Sequence, residues 1–288
     1  MTEICKNWTQ WLKQNRFAGQ TPEMIEQTTK WLEAVRDVIL VYAEIMPHET
    51  VIDIGCGTGL LAFKALEIQE CKGNVIFSDK FKDCLDDCRK ILEESNVTTG
   101  FQTLLSPCEH IALPESHVHK ALMRSVLVHI VNKQQAISEI YRILKPGGKF
   151  CAFEPIIRSN TRYWEILDSK YIDKYEDFKN VENEIMENPM DSLCNFDQDT
   201  LKTNLEIAGF SIPDVKLQEV ASKYVVKTGM VYEWFNNPPS PNQPSTKERF
   251  LKYFDEETVN KYMLDIQNYL TGREISLKTN AVFINATK

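Results

Sequence analysis

Residues 51–62, VIDIGCGTGLLA, run an apolar strand into an acid and then three glycines at alternate positions, at the point where helical periodicity begins. A buried strand that turns directly into a helix belongs to an open parallel sheet. In such sheets ligands bind outside the C-terminal strand ends, near the switch in strand order. Gly55, Gly57 and Gly59 let the backbone come close to a ligand because no Cβ intervenes. The helix beyond them offers unpaired N–H groups.

The rest of the chain fits that start. Strands are expected at 50–54, 74–79, 101–105, 118–124 and 149–155, with helices at 60–70, 81–95 and 132–144 between them. KPGG at 145–148 is helix-stop chemistry, since Pro146 cannot continue a helix and Gly147 accepts left-handed angles. This alternation implies a parallel sheet covered on both faces. Past Pro155 the rhythm changes. Residues 158–188 read as long, aromatic and helical, 197–222 as a helix, a turn and a strand, 246–272 as helical, and 274–288 as a closing strand. The proline-rich stretch 236–245 interrupts any regular element. The expected organisation is an N-terminal helical segment (1–48), an α/β core (49–157, 196–222 and 273–288) and helical insertions (158–195 and 223–272).

Composition excludes several classes. The net charge of −8 and the scatter of Lys and Arg among acids argue against a nucleic-acid partner. No segment approaches a membrane span and no signal peptide is evident, so a cytoplasmic protein is expected. The eight cysteines then read as thiols; Cys84 and Cys88, four apart on a helix, lack the partners of a metal site, and no metal is expected.

Spacing narrows the ligand. Dinucleotide binders show G-x-G-x-x-G, so that pyrophosphate rests on the helix N-terminus. Here the pattern is G-x-G-x-G with Asp53 two residues upstream. A carboxylate there would repel pyrophosphate and suits the ammonium of an amino acid.

VIDIGCGTG resembles the first motif of the class I S-adenosylmethionine-dependent methyltransferases, and the resemblance continues in order through residues 50–155. It implies a Rossmann-like, seven-stranded, mostly parallel sheet with helices on both faces and helical cap insertions over the substrate. It implies S-adenosylmethionine as cofactor, with Asp53, Gly55, Cys56, Gly57 and Gly59 around its methionine end and Asp79, ending the second strand, on the ribose hydroxyls. In SPCEHIALPES, Glu109 stands where the family's acid meets the adenine amino group, and the His110 N–H would reach a ring nitrogen. The family more often has Asp there. In MRSVLVH, Arg124 and Ser125 would line the methionine end through their backbone, with Val126 and Leu127 near the transferred methyl. The similarity is to the small-molecule branch, which includes quinone-biosynthesis C-methyltransferases and natural-product O-methyltransferases.

The function this implies is methyl transfer to a small-molecule acceptor at oxygen or carbon. The alternatives are a thiol acceptor and a non-catalytic cofactor-binding regulator. Two residues are candidates for catalysis. His129, beyond the fourth strand, is either a general base or a packing and capping residue. Glu154, ending the fifth strand, either orients an acceptor or serves structure. His117 and His119 read as edge residues, and Arg158 and Arg162 as solvated or as holding an anionic acceptor. Trp8, Trp11, Phe17 and Trp31 read as core, with Arg16 or Phe17 as further ligand contacts if the N-terminal helices fold over the cleft. NNPPS at 236–240 is a turn, since the methyltransferase motif it resembles belongs directly after strand four. Oligomeric state and the identity of the acceptor are left open.

Overall fold

The computed structural model describes residues 22–239 and 243–288. Trp8, Trp11, Arg16 and Phe17 therefore lie outside the described residues. Along the chain come α1 (Pro22–Ala43), β1 (Thr50–Ile54), α2 (Leu60–Ile68), β2 (Asn74–Asp79), α3 (Lys82–Glu94), β3 (Phe101–Leu105), β4 (Val118–Arg124), α4 (Lys133–Ile143) and β5 (Leu144–Pro155). Beyond these lie α5 (Tyr175–Glu187), α6 (Gln198–Ala208), β6 (Ser211–Val225), α7 (Met230–Asn236), α8 (Thr246–Phe250), α9 (Glu256–Leu270) and β7 (Glu274–Thr287).

Seven strands form one sheet in the order β3-β2-β1-β4-β5-β7-β6. β1 pairs parallel with β2 and with β4, β2 with β3, and β4 with β5. The chain steps outward from β1 to β3 and then crosses back to β4, so the switch point falls between β1 and β4. β7 runs antiparallel to β5: Gly147 donates to Lys288 O, Lys288 to Gly148 O, and Ile156 to Asn280 O. Val51, Ile52 and Ile54 of β1 and Val75, Ile76 and Phe77 of β2 are all buried, as a sheet covered on both faces requires. α2 is buried nearly throughout, from Leu60 to Leu66. α1 turns Leu32, Val35, Ile39, Leu40 and Ala43 inward.

Three expectations are corrected. KPGG does not separate a helix from a strand: α4 ends at Ile143 and β5 begins at once, with residues 145–148 set opposite the single residue 119 as an irregularity in the ladder. Pro146 has no N–H to give the ladder, so the strand bulges there. The expected helix at 158–188 resolves into short 3₁₀ turns at 157–159, 163–166 and 169–171 before α5. Local side-chain bonds take over the backbone donors: Glu165 accepts from Arg162 N (2.6 Å) and Asp168 from Lys170 N (3.0 Å). The expected helix at 246–272 breaks in two because Asp255 caps α9, accepting from Thr258 N at 2.7 Å. A Ser245–Glu248 capping box starts α8.

The chain divides into two compact units. Of the described residues, the first holds those from Pro22 to Glu154, Gln198–Leu217 and Val282–Lys288; the second holds those of Pro155–Asp197 and of Gln218–Ala281. Helix α1 lies in the first unit. The second has its own core of Phe178, Val231, Phe235, Phe250, Tyr262 and Ile266, in which the Phe178 and Tyr262 rings stack with centroids 3.6 Å apart. Among the described residues no helix is long and apolar enough to cross a membrane.

Candidate active site

The three glycines at the end of β1 all take left-handed angles, with φ of 65° at Gly55, 51° at Gly57 and 79° at Gly59. Their surroundings differ. A Cβ on Gly55 would lie 2.5 Å from Val126 Cγ2, and one on Gly59 would lie 2.4 Å from Phe63 Cε2. A Cβ on Gly57 would meet nothing within 4 Å. Gly55 and Gly59 are thus demanded by packing, while Gly57 borders open space at the tip of the turn.

Neighbouring strands pin this loop. Cys56 N donates to Ser78 O (2.9 Å), and Gly57 N to Asp79 Oδ2 (2.9 Å). Asp79 Oδ1 accepts from Phe81 N at 2.9 Å, so the acid that ends β2 braces both turns that flank it. A carboxylate has about four acceptor positions; two are used here, which leaves capacity for hydroxyl donors. Cys88 on α3, read from sequence as a packing cysteine, donates its thiol to Gly57 O at 3.4 Å. The Cys56 thiol is hydrogen-bonded to Cys88 and buried, and both causes hold it protonated.

Asp53 is buried, and its Oδ2 accepts from Ala62 N at 3.0 Å. It therefore caps α2 from the preceding strand, where the N-cap residue Gly59 has no side chain to do so. Burial pushes its carboxyl up to about 7, a shift reinforced by Asp79 and opposed by the Ala62 hydrogen bond and Arg124. A cation beside Asp53 would restore the anion.

The loop after β3 holds Glu109 and His110. Glu109 is half-buried, and its carbonyl accepts from Gln135 Nε2 at 3.3 Å. The His110 N–H, expected to face an adenine ring, is directed instead at Pro107 O, 3.2 Å away in a tight turn. What fixes this loop is Arg142, which donates to Ile111 O (2.9 Å) and Leu113 O (2.8 Å), together with Glu139, which accepts from Ile111 N (3.0 Å). Sequence reading left both unassigned; their i, i+3 spacing on a helix was the available signal.

Beyond β4, Arg124 is half-buried with Nη1 3.5 Å from Ser125 Oγ, and Ser125 takes φ 56° while donating its N–H to Phe153 O. Glu154 organises the turn at residues 126–129. It is fully buried; Oε1 accepts from Val126 N (2.8 Å) and Leu127 N (3.1 Å), and Oε2 from Val128 N (3.1 Å). Burial raises its carboxyl to about 7 against these three bonds. Glu154, expected either to orient an acceptor or to serve structure, has no exposed surface and gives both oxygens to three backbone donors, and so holds this loop. His129, ending the 3₁₀ turn Leu127–His129 that Glu154 supports, is exposed. Trp31 of α1 meets Phe153 edge-on at 5.8 Å, which brings α1 to the same C-terminal end of β5. His119 belongs to the opposite end, where its Nδ1 accepts from Thr50 N at the start of β1.

Residues 45–209 match the family model for a methyltransferase domain. Among curated proteins, the ubiquinone/menaquinone biosynthesis C-methyltransferase UbiE of Vibrio cholerae is 26% identical over 175 residues, covering 57% of this chain and 65% of that protein. The chain thus spans somewhat less than two thirds of that relative's length. Among solved structures, the YcgJ protein of Bacillus subtilis superposes with a TM-score of 0.55 at 16% identity, covering 88% of this chain and 98% of that one. The Haemonchus contortus phosphoethanolamine N-methyltransferase 2, solved with S-adenosyl-L-methionine, gives 0.53 at 16% identity over 98% of this chain and 60% of its own. These likenesses carry the fold. The chain belongs to the methyltransferase-domain family.

Proposed function

We propose that the protein transfers a methyl group from S-adenosylmethionine to oxygen or carbon of a small-molecule acceptor. The observation that carries this reading is the open space at Gly57, beside Asp79, whose carboxylate has acceptor positions to spare. When bound, the cofactor supplies an electrophilic methyl on a sulfonium whose charge disappears on transfer. Asp53 would take the ammonium, Asp79 the ribose hydroxyls, and Glu109 the adenine amino group, while Gly57 admits the ligand to the backbone. Arg124 and Ser125 border the methionine end. Glu154 acts as a positioning residue through the turn it holds. His129 is exposed on that turn and is the base for an acceptor that keeps its proton, such as a phenol or enol. Catalysis then rests on alignment and on excluding water, which raise the rate without further covalent chemistry.

The quinone C-methyltransferase relative supports carbon as one accepting atom. The seven described cysteines, all free thiols, support a reducing, cytoplasmic setting. Calorimetric titration with S-adenosylmethionine and S-adenosylhomocysteine tests the site, and labelled-methyl transfer to panels of phenols, quinols and thiols tests the acceptor. Binding of both cofactor forms with transfer to a phenol or quinol is the expected result. Absence of cofactor binding, or transfer confined to thiols, would overturn the reading.

A further inference from the structure

The second unit contains a cavity of about 270 Å³ whose lining includes Glu182, Arg162, Tyr163, Ile185, Met186 and Phe250. An apolar cavity of roughly 150 Å³ already holds benzene, so there is room here for a molecule somewhat larger than that. Much of the wall is apolar, which makes its polar members conspicuous. Glu182 is 3% exposed; its Oε1 accepts from Tyr163 N at 3.0 Å, but its Oε2 has no hydrogen-bond partner. A buried, unpaired carboxylate oxygen is costly. Burial correspondingly pushes the Glu182 carboxyl up to about 7, although the Tyr163 backbone N–H, the Arg162 charge and the Trp164 backbone N–H oppose the rise.

The cations on the same wall fall into two kinds. Arg249 is neutralised by an ion pair with Asp191. Arg162 hydrogen-bonds the carbonyls of Asn160 and Arg158, and among the described residues it forms no ion pair. One cavity therefore presents an acid with one oxygen lacking a donor and a guanidinium that, among the described residues, has no ion-pair partner. A simple amine would leave Arg162 unmatched, and a simple acid would leave Glu182 unmatched. A small zwitterion matches both, and its side chain can lie against Ile185, Met186 and Phe250.

We propose that this cavity binds a free amino acid, its ammonium donating to Glu182 Oε2 and its carboxylate accepting from Arg162. The site lies wholly within the second unit and does not depend on methyl transfer. Nothing in the glycine loop contributes to it.

The test uses the full chain, with S-adenosylhomocysteine present so that the loop site is filled, and titrates it calorimetrically with each of the twenty free L-amino acids. At least one is expected to bind, and its decarboxylated amine and N-acetyl derivative should each bind at least about tenfold more weakly, as loss of one charge-assisted bond implies. Glu182→Gln and Arg162→Gln should each weaken binding by a similar factor while leaving S-adenosylhomocysteine affinity unchanged. If Glu182→Gln fails to fold, Arg162→Gln, at a half-buried position, carries the test alone. No binding of any amino acid at 10 mM (about 3 kcal/mol of affinity at most), equal binding of the amine, or binding indifferent to both substitutions would overturn the assignment. Failure of S-adenosylhomocysteine to bind would count against the methyltransferase reading and not against this one.

Discussion

Asp53 and Glu154 in the first unit and Glu182 in the second are carboxyls of similar depth, all raised to about 7 by burial. Their surroundings differ in kind. Glu154 gives both oxygens to three backbone N–H groups and so only holds a loop at the strand ends, whereas Asp53 caps a helix through Oδ2. Glu182 has one donor and one bare oxygen. The comparison teaches that a raised carboxyl is not by itself a sign of catalysis; the partners of each oxygen separate a brace from a binding group.

The largest effect is expected from Gly57→Val, which should abolish measurable S-adenosylmethionine binding; the added methyls enter open space, but a β-branched residue at φ 51° is strained, so Tm should fall as well, by the equivalent of about 1–3 kcal/mol. Calorimetry and a thermal melt together check this, and retained affinity would remove the loop from the site. Next, Phe178→Ala should cost about 3–5 kcal/mol in the second unit's core, where its ring stacks on Tyr262. Chemical denaturation reads that loss, and a value under about 1 kcal/mol would show the stack to be dispensable.

Titration sharpens the comparison. A carboxyl raised from 4.5 to about 7 on folding makes the folded state hold more protons between those values. Its stabilising contribution is full below about 4.5 and is lost as pH rises through 7. For Glu154 that loss is on the order of 3 kcal/mol. Glu154→Gln should therefore flatten the fall in stability between pH 5 and 8 while destabilising the protein at pH 5 by about 1–3 kcal/mol, as a backbone donor loses its acceptor. At Asp53, cofactor binding near pH 6 should release protons as the ammonium restores the anion, visible as a calorimetric enthalpy that varies with the buffer's ionisation heat. A buffer-independent enthalpy would place the ammonium elsewhere. The smallest structural effect is expected from His129→Ala: Tm and cofactor affinity unchanged, with turnover lowered by about 10²-fold or more. Unchanged turnover would return His129 to a packing role.

The glycine turn was legible because its geometry is backbone geometry: positions that need positive φ and close approach are written as glycine, and Asp53 and Asp79 sit at fixed distances along two strands. The strands β1 and β2 were equally plain, since burial on both faces leaves continuous apolar runs. Sequence reading missed what depends on contacts across long separations. The bracing of the 111–113 loop by Glu139 and Arg142, the Cys88 bond to Gly57 O and the burial of Glu154 under three donors have no local signature. The helical breaks at 158–174 and 251–255 were lost because short side-chain caps compete with helix formation at a cost the periodicity does not register.

By itself, then, the sequence determined the sheet, its glycine loop and the family, because each is set by local backbone freedom and by the apolar runs of buried strands. Only the tertiary structure decided which acid braces, which caps and which is left with an unmatched oxygen, because a carboxylate's role depends on donors that the fold delivers from elsewhere in the chain.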